Sequence, residues 1–412
     1  MYIVLAPNTG NTMNLLIATL ASSRHFNCEI PGANFKSASP ISRFPLRTAH
    51  QFNSSSSLFS FTHEVAAERA RKEQHAMPDN GKLRWGIAGC GRISNDFVAA
   101  LTTLPSGEHE VAAVAARDRV RSEEFAKRFG IPKVYHSYEA LAEDDQIDVI
   151  YIGTVNSEHT KLCKQMLHHK KHVLCEKPLT LRLQDTKDLF AFARQNGKFL
   201  MEAIWTRTFP AYKQLKSEIE QQTIGDVQLV TANFGCNAPN VPSLAQRNLG
   251  GGVLLNVGCY MIQLATLVFP NKMPTSIKAA ATLNDDGVDE TTAITLQYED
   301  GAIAQFLMST RVELDSAARI VGSEGTIEIE APFLAPTQML TPSGKYHFVL
   351  PFIDEKFPTN FINSAGLSYE AAEVRRCILA GELECPWMTH ADSILDAEII
   401  EKICKEIKVN YD

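Results

Sequence analysis

The chain has 412 residues, a length that predicts two or three domains rather than one. Hydrophobic residues make up 45% of it and charged residues 21%, a mixture that is typical of a folded globular protein and excludes a largely disordered chain. The formal net charge of −7 argues against nucleic acids and anionic membranes as partners, because both select a basic surface. No apolar run approaches the roughly 20 residues that cross a bilayer, so no membrane span is expected.

The cysteine pattern bears on redox state and on metals. The nine cysteines are scattered and odd in number, and no two of them form a Cys-x-x-Cys pair. This pattern predicts reduced thiols in a cytoplasmic protein rather than a disulfide framework, and it predicts no structural metal site.

The first 80 residues differ in composition from the rest of the chain. Up to His63 the only acidic residue is Glu29, and serines are abundant, with a run of them at 54–57. We interpret residues 1–80 as a poorly ordered extension, with a natural start for the folded part at Met77. The alternative is a transit peptide, which has the same Ser-rich and acid-poor bias and would direct the protein to mitochondria.

From Leu83 onward, short apolar runs alternate with helical periods, a pattern that is typical of βαβ units with a parallel sheet. The predicted strands cover residues 83–88, 110–116, 134–135, 149–153, 172–175 and 199–203. The predicted helices cover residues 93–104, 122–129, 138–142, 159–169, 181–196 and 210–222. Residues 81–203 are therefore expected to form an α/β Rossmann domain.

After Gly225 the pattern changes to Thr- and Val-rich strands that are separated by hairpin turns. These strands are predicted at residues 226–236, 276–281, 291–298, 302–310, 317–321 and 326–330, with helices at 254–269, 368–380 and 393–408. We expect residues 204–390 to form an α+β domain with a large, mostly antiparallel open sheet. Residues 391–412 are expected to add a C-terminal helix.

A glycine-rich loop joins the first predicted strand to the first predicted helix. In the run Gly89-Cys-Gly91-Arg-Ile93-Ser94, Gly89 permits a tight turn and Gly91 lets the backbone approach a pyrophosphate. Ser94 is small enough for the helix to pack close to the strand, and the helix N-terminus favours a negative charge. This placement predicts a nicotinamide-dinucleotide site that includes Gly89, Gly91, Ile93 and Ser94.

The end of the second strand indicates which dinucleotide binds. An NAD enzyme commonly has an acidic residue there to accept a bond from the ribose 2′-hydroxyl, whereas this strand is followed by Arg117, Asp118 and Arg121. Two guanidinium groups suit the 2′-phosphate of NADP, so Arg117 and Arg121 are predicted to bind it. Two alternatives stay open at this point: both arginines are solvated surface charges, or Asp118 takes the ribose and the enzyme accepts both cofactors.

Several motifs occur together at characteristic positions. The motif Glu176-Lys177-Pro178 follows the fifth strand, and the run 250–260 begins with three glycines and ends with Tyr260. Further motifs are Arg84-Trp-Gly-Ile, Ala115-Ala-Arg-Asp, Tyr151-Ile-Gly-Thr and Phe199-Leu-Met-Glu-Ala-Ile-Trp-Thr-Arg. With these motifs, the chain from about Leu83 to its C-terminus resembles the glucose–fructose oxidoreductase/inositol dehydrogenase (Gfo/Idh/MocA) family.

The resemblance implies an NADP-dependent oxidoreductase that takes a hydride from a ring-borne secondary alcohol. A trans-dihydrodiol would give a catechol, and D-xylose would give its lactone. The family pattern implies Tyr260 as the general acid and base, and Lys177 as the group that tunes and orients it. A free tyrosine has a pKa of about 10, and a nearby ammonium favours the phenolate. Without the resemblance, Tyr260 would be read as a core residue and Lys177 as an exposed loop lysine.

The resemblance also implies further contacts to the cofactor and the substrate. The cofactor-binding set that it implies adds Thr154, Asn156, His159, Glu176, Lys177, Trp205 and Arg207. The substrate-binding set that it implies is Trp205, Phe234, Asn256 and Tyr260. Relatives usually carry aspartate where this chain has Asn256, and an amide can hold a hydroxyl but cannot take a proton. Ordinary core packing is the alternative for the aromatic residues.

Two alternative functions stay open beside this hypothesis, and a homodimer is expected. The same residues acting in reverse would reduce a keto-sugar such as an anhydrofructose with NADPH. A non-catalytic NADP-sensing regulator is the alternative outside enzymes, favoured by Asn256 but not by Lys177 and Tyr260. The resemblance further implies a homodimer that forms through the open sheet of the second domain, with a small sugar or diol as the only other partner.

Overall fold

The computed structural model describes residues 81–411, so the predicted extension 1–80 lies outside the described residues. The first half of this region is a parallel sheet with the strand order β3-β2-β1-β4-β5-β6. Its strands are β1 (Leu83–Ala88), β2 (His109–Ala115), β3 (Lys133–Tyr135), β4 (Val149–Ile152), β5 (His172–Glu176) and β6 (Leu200–Ala203). Every residue of the last three strands is buried, because helices cover both faces of such a sheet.

Helices connect these strands and start and stop at recognisable signals. They are α1 (Arg92–Leu101), α2 (Arg119–Phe129), α3 (Tyr138–Glu143), α4 (His159–His168), α5 (Leu183–Asn196) and α6 (Pro210–Glu220). Helix α2 begins after Asp118, whose side chain accepts a bond from the Arg121 backbone N–H, and it ends at Gly130 in the left-handed conformation. Short 3₁₀ turns at Asn156–Glu158 and Trp205–Thr208 lie between these helices and the strands.

The second half of the described region is an eight-stranded sheet with the order β14-β13-β12-β11-β7-β10-β9-β8. Its strands are β7 (Val227–Gly235), β8 (Ser276–Leu283), β9 (Asp289–Gln297), β10 (Ile303–Ser309), β11 (Ala318–Gly322), β12 (Thr326–Ile329), β13 (Gln338–Thr341) and β14 (Gly344–His347). The β7–β10 pair is parallel and the other pairs are antiparallel. Burial alternates along β10, so one face of the sheet packs on helices and the other is open.

The second half of the described region also contains helices and turns, some of which pack on the covered face of this sheet. They are α7 (Pro242–Ala245), a 3₁₀ turn (Arg247–Leu249), a π-helical turn (Leu254–Gly258), α8 (Cys259–Val268), a 3₁₀ turn (Ser364–Gly366), α9 (Leu367–Leu379) and α10 (His390–Glu406). The stretch Arg247–Val268 is 22 residues long and, with a mean hydropathy of 1.6, is apolar enough to cross a membrane. This corrects the expectation that no run reaches that length. Because 94% of its apolar window is buried, we assign it as a core helix.

The predicted fold class is confirmed: a parallel Rossmann sheet precedes a mostly antiparallel open sheet. Every predicted strand and helix from residue 83 onward is present, with ends that shift by a few residues. The structure adds β13 and β14, which the sequence did not indicate, and it divides the predicted helix 254–269 into a π-helical turn and α8. These additions extend the second sheet and place the catalytic candidate Tyr260 at the second position of α8.

Candidate active site

The candidate site lies at the carboxyl ends of β1, β4 and β5. The glycine-rich loop 89–91 follows β1, the loop 153–156 follows β4, and Lys177 follows β5. The strand order places β1 and β4 side by side, and the chain turns to opposite sides of the sheet from these two strands. Ligands of open α/β sheets bind at such a switch point.

The glycines of the loop form a cradle with no room for side chains. Gly89 has a φ of +101°, and a Cβ at this position would lie 2.9 Å from the Gly153 carbonyl oxygen. A Cβ on Gly153 would in turn overlap Ser94 Oγ and lie 3.5 Å from an Ile93 methyl group. Thr154 also borders Gly89 through its methyl group. The cradle, followed directly by the N-terminus of α1, fits the pyrophosphate of a dinucleotide.

The predicted 2′-phosphate corner borders the same loop. The Arg121 guanidinium reaches the loop, with Nη2 3.4 Å from the Cys90 carbonyl oxygen, and both Arg117 and Arg121 are exposed. Asp118 Oδ1 accepts the Arg121 backbone N–H at 3.1 Å, so this carboxylate caps α2. The helix cap explains Asp118 without a ribose contact, and Arg121 is the residue of this corner that reaches the loop.

Lys177 and Tyr260, the predicted catalytic pair, lie together although 83 positions separate them in the numbering. The Lys177 ammonium lies 5.0 Å from the centroid of the Tyr260 ring and donates to the Asn256 backbone carbonyl at 2.6 Å. The Lys177–Pro178 peptide bond is cis. Lys177 is partly exposed, and Tyr260 is buried.

Burial controls the protonation of Tyr260. Removal from water raises the pKa of the Tyr260 phenol well above its usual value, and the nearby Cys259, Glu176 and Glu370 raise it further. The Trp205 side chain opposes this shift and lowers the pKa. The protein without cofactor therefore holds Tyr260 as a neutral phenol, the form that donates a proton.

Glu176 lies behind this pair rather than beside the cofactor cradle. Its carboxyl is buried and accepts the Tyr151 hydroxyl at 2.6 Å. Burial raises the pKa of Glu176, and the Lys177 ammonium opposes that shift. The Glu176 side chain is therefore held in the core by Tyr151, and its contact with the cofactor stays a prediction.

Asn156 and Asn256 join the two halves of the site. Asn156 Nδ2 donates to Asn256 Oδ1 at 3.1 Å and to the Gly250 carbonyl at 2.8 Å. Asn256 Nδ2 donates to the Gly252 carbonyl at 2.8 Å. An aspartate in this position would have no N–H to donate to that carbonyl, so the amide suits the local structure. Asn256 thereby orders the segment before the catalytic helix.

Two residues predicted to contact the cofactor, His159 and Arg207, have protein partners in the structure, and their cofactor contacts stay predictions. His159 is fully buried, with Nδ1 2.8 Å from the Pro178 carbonyl and Nε2 3.4 Å from the Thr154 carbonyl. Arg207 is also buried, and its guanidinium donates to the side chain and backbone carbonyl of Gln263, each at 2.7 Å. His159 thereby links the loops that carry Thr154 and Pro178, and Arg207 fastens the turn Trp205–Thr208 to α8.

The predicted pocket aromatics lie beside the catalytic residues. Trp205 is buried with its ring centroid 5.4 Å from that of Phe209, and its indole Nε1 has no hydrogen-bond partner among the described residues. Phe234, near the end of β7, is the register partner of Met308, whose sulfur lies 3.0 Å from where a Cβ on Gly258 would be. Register partners of a parallel pair point to the same face, so Phe234 faces the π-helical turn that precedes Tyr260.

Two residues of the site carried no signal in the sequence. Asp289, at the start of β9, accepts the Leu254 backbone N–H at 3.0 Å, and burial raises the pKa of its carboxyl. Tyr411 donates its hydroxyl to the Gly251 carbonyl at 2.6 Å. Both hold the glycine run 250–252 that leads into the catalytic helix. Each is a single polar residue far along the chain, with no motif around it.

Comparison with known proteins identifies the family. The model of the oxidoreductase family Gfo/Idh/MocA, NAD-binding Rossmann fold, matches residues 83–204, and the model of the family's C-terminal domain matches residues 212–328. A trans-1,2-dihydrobenzene-1,2-diol dehydrogenase from Danio rerio is 44% identical over 329 residues, which are 80% of this chain and 98% of that protein. The protein of the same name from Homo sapiens is 40% identical, with the same coverage of 80% and 98%.

A solved structure with the same fold contains the cofactor. A 3-ketoreductase from Actinomadura kijaniata, in complex with NADP and TDP-benzene, is similar with a TM-score of 0.67 and 26% identity, over 79% of this chain and 98% of that chain. The predicted resemblance is thus confirmed by sequence and by structure. The chain belongs to the Gfo/Idh/MocA oxidoreductase family, and it is an NAD(P)-dependent dehydrogenase.

Proposed function

We propose that this enzyme oxidises a ring-borne secondary alcohol with NADP, and that a trans-dihydrodiol is its first substrate class and a cyclic sugar such as D-xylose its second. The observation that carries the proposal is the Lys177–Tyr260 pair, with 5.0 Å between ammonium and ring centroid, beside the dinucleotide cradle. The relatives at 40–44% identity are named for dihydrodiol oxidation, which supports this order of substrates.

The chain's residues supply proton transfer and orientation for this reaction. NADP held by the glycine-rich cradle would supply the hydride acceptor for the carbinol carbon, and a base of this chain takes the hydroxyl proton. Tyr260 is that base once it has lost its own proton, and the Lys177 ammonium stabilises the phenolate because opposite charges favour the ionised form. The products are a ketone, NADPH and one proton. The ketone from a dihydrodiol tautomerises to a catechol, and the product from a sugar hemiacetal is a lactone.

The walls of the site favour a flat or cyclic substrate. Trp205 lowers the pKa of the Tyr260 phenol, and Phe234 faces the turn before Tyr260. Aromatic faces bind rings and apolar sugar faces well, while small polar groups set the orientation. Asn256 donates its amide N–H groups to backbone carbonyls, so it orients the loop rather than taking up substrate protons.

Selection of NADP over NAD is part of the proposal. Arg117 and Arg121 are the cations at the end of β2, and Arg121 reaches the glycine loop at the Cys90 carbonyl. A 2′-phosphate between these guanidinium groups would receive charge-assisted bonds that NAD cannot form. The NADP complex of the similar 3-ketoreductase supports the same choice.

The experiment is a turnover screen of the purified enzyme with NADP and with NAD against dihydrodiols, aldoses and polyols, followed by the absorbance of the reduced nicotinamide. We expect the highest kcat/KM for a trans-dihydrodiol with NADP. Turnover of aldoses alone would contradict the proposed order of substrates. Tight NADPH binding without turnover of any substrate would contradict the enzyme function and support the sensor.

A second candidate function is reduction of a keto-sugar with NADPH. The observation that favours it is the neutral phenol: burial raises the pKa of Tyr260 well above its usual value, and a neutral phenol protonates the oxygen of a ketone. The similar 3-ketoreductase supports it as well. Comparing kcat/KM for an anhydrofructose and a dihydrodiol, each measured in its own direction, distinguishes the two candidates.

We also propose a homodimer through the open face of the eight-stranded sheet. Ile303 and Leu307 of β10 expose their side chains on this face, where the small residues Ala293 of β9 and Ala280 of β8 lie in register with Leu307. A second copy would cover these apolar side chains. Leu307→Lys should convert a dimer into a monomer in light scattering after gel filtration, and a wild-type monomer would contradict the proposal.

A further inference from the structure

A segment from the second half of the chain, residues 358–364, is fastened to the first helix of the dinucleotide-binding half. Asp96 in α1 is fully buried and accepts the backbone N–H groups of Asn360 at 2.8 Å and Phe361 at 2.9 Å. It also accepts the Ser364 hydroxyl at 2.6 Å. A buried carboxylate with several donors holds this segment in one position relative to α1, because unpairing it would leave a buried charge without partners.

The anchored segment presents apolar side chains to solvent beside the start of α1. Phe361 is 40% exposed and Ile362 is 64% exposed, although their backbone is fixed. The Phe361 ring lies under the Arg92 guanidinium, with 5.5 Å from the guanidinium carbon to the ring centroid. Asn360 Nδ2 donates a hydrogen bond to the Arg92 carbonyl at 3.3 Å. Arg92 is the first residue of α1 and follows Gly91 of the cradle.

Helix α1 begins with a basic residue, Arg92, that no acidic group of its cap or first turn offsets. Its first turn has no acidic residue, and no side chain of the described residues caps it at Gly91. By contrast, α10 begins with a complete capping box of Thr389 and Asp392. A guanidinium at the positive end of a helix dipole is unfavourable unless an anion lies there too. Arg92 therefore indicates an anion at this helix end, which the dinucleotide pyrophosphate supplies.

We propose that the segment 358–364 is part of the cofactor site: its Phe361 ring supports the Arg92 guanidinium, which binds the pyrophosphate. The inference rests on the proposed function in that it requires a bound nicotinamide dinucleotide. The second half of the chain then contributes to cofactor affinity as well as to the substrate pocket. Since NADP and NAD share the pyrophosphate, this contact strengthens both complexes equally, whereas Arg121 acts on the 2′-phosphate alone.

The test measures dissociation constants of NADPH and NADH by quenching of protein fluorescence. Arg92→Gln should weaken both cofactors about tenfold or more, because a charge-assisted contact is lost. Phe361→Ala should weaken both about two- to fivefold, the size of an exposed cation–π contact. The matched control is Phe352→Ala, an aromatic residue that is 81% exposed and for which no change is expected. Thermal midpoints of all variants, measured in parallel, should stay at the wild-type value.

The double variant tests whether the two residues act as one unit. Arg92→Gln with Phe361→Ala should bind NADPH no more weakly than Arg92→Gln alone, because the ring acts through the guanidinium. The inference would be overturned if the double variant lost affinity by the product of the two single effects. It would also be overturned by wild-type affinity in Phe361→Ala, or by an Arg92→Gln variant that binds NADPH more weakly but NADH as well as the wild type does. A wild-type protein that binds neither cofactor would overturn the proposed function and this inference together. Wild-type binding with unaffected variants would overturn this inference only.

Discussion

The two arginines at the end of β2 give a quantitative prediction about cofactor choice. Replacing Arg121 by Gln removes a guanidinium that lies 3.4 Å from the Cys90 carbonyl of the glycine loop. Replacing Arg117 removes the second cation at the corner. Both changes leave Asp118 as the cap of α2, because the cap accepts a backbone N–H and no part of the Arg121 side chain.

The magnitude follows from the exposure of these groups. Charge-assisted hydrogen bonds contribute about 1.5–3 kcal/mol, and exposed partners lie at the lower end because solvent and salt screen them. A loss of about 1.4 kcal/mol is tenfold in a dissociation constant. Each single variant should therefore weaken NADP about tenfold and the double variant about a hundredfold. NAD binding should change less than about threefold, since NAD has no 2′-phosphate to lose.

The assay is isothermal titration of both cofactors at two salt concentrations, because screening should reduce the effect at high salt. Arg119→Gln is the matched control: Arg119 lies on the same turn of α2, is 72% exposed and pairs with Glu123 at 2.8 Å. This control should leave both affinities unchanged. Equal weakening of NADP and NAD by Arg121→Gln would refute the assignment of this corner to the 2′-phosphate.

Two further variants test the catalytic pair and the buried acids. Lys177→Met should lower turnover at least about a hundredfold with little change in NADPH affinity. The control is Lys213→Met, which should leave turnover unchanged. It removes a similar ammonium, one that lies 4.8 Å from the Trp387 ring centroid. Burial raises the pKa of Asp396 to about 8, although the charge of Arg207 opposes this shift. Between the usual aspartate pKa and pH 8, the folded protein therefore keeps a proton on Asp396 that the unfolded chain has lost. Wild-type stability should therefore fall with rising pH up to about pH 8, by at most about 1.4 kcal/mol per pH unit from this group. Asp396→Asn should remove that slope, and parallel curves of thermal midpoint against pH for the two proteins would contradict this.

Local sequence patterns predicted most of the fold for identifiable reasons. The six strands of the parallel sheet are short apolar runs, because both of their faces are covered. The strands β13 and β14 were missed because they lack an apolar run: β14, Gly344–His347, has only intermediate and exposed positions, and β13 has two buried residues, Met339 and Thr341. The start of α2 was predicted too late because Asp118 was considered as a ribose ligand, whereas its side chain caps the helix.

The candidate site was predictable where chemistry requires a particular residue at a particular turn. Gly89 and Gly91 are of this kind, since close backbone approach excludes a side chain. The roles of His159 and Arg207 were not predictable, because their partners are carbonyl groups that only the folded chain brings near. Phe361 was likewise out of reach of the sequence, since its neighbour Arg92 lies far away along the chain.

The most direct test of the central claim compares Tyr260→Phe with the wild type in turnover number and in NADPH dissociation constant. The substitution removes one hydroxyl from a buried ring, so packing and cofactor binding should remain. It deletes the group that exchanges the substrate proton, and turnover should fall about 10²–10⁴-fold. A variant that keeps more than about a tenth of wild-type turnover, with NADPH bound equally well, would contradict the assignment of Tyr260 as the general acid and base.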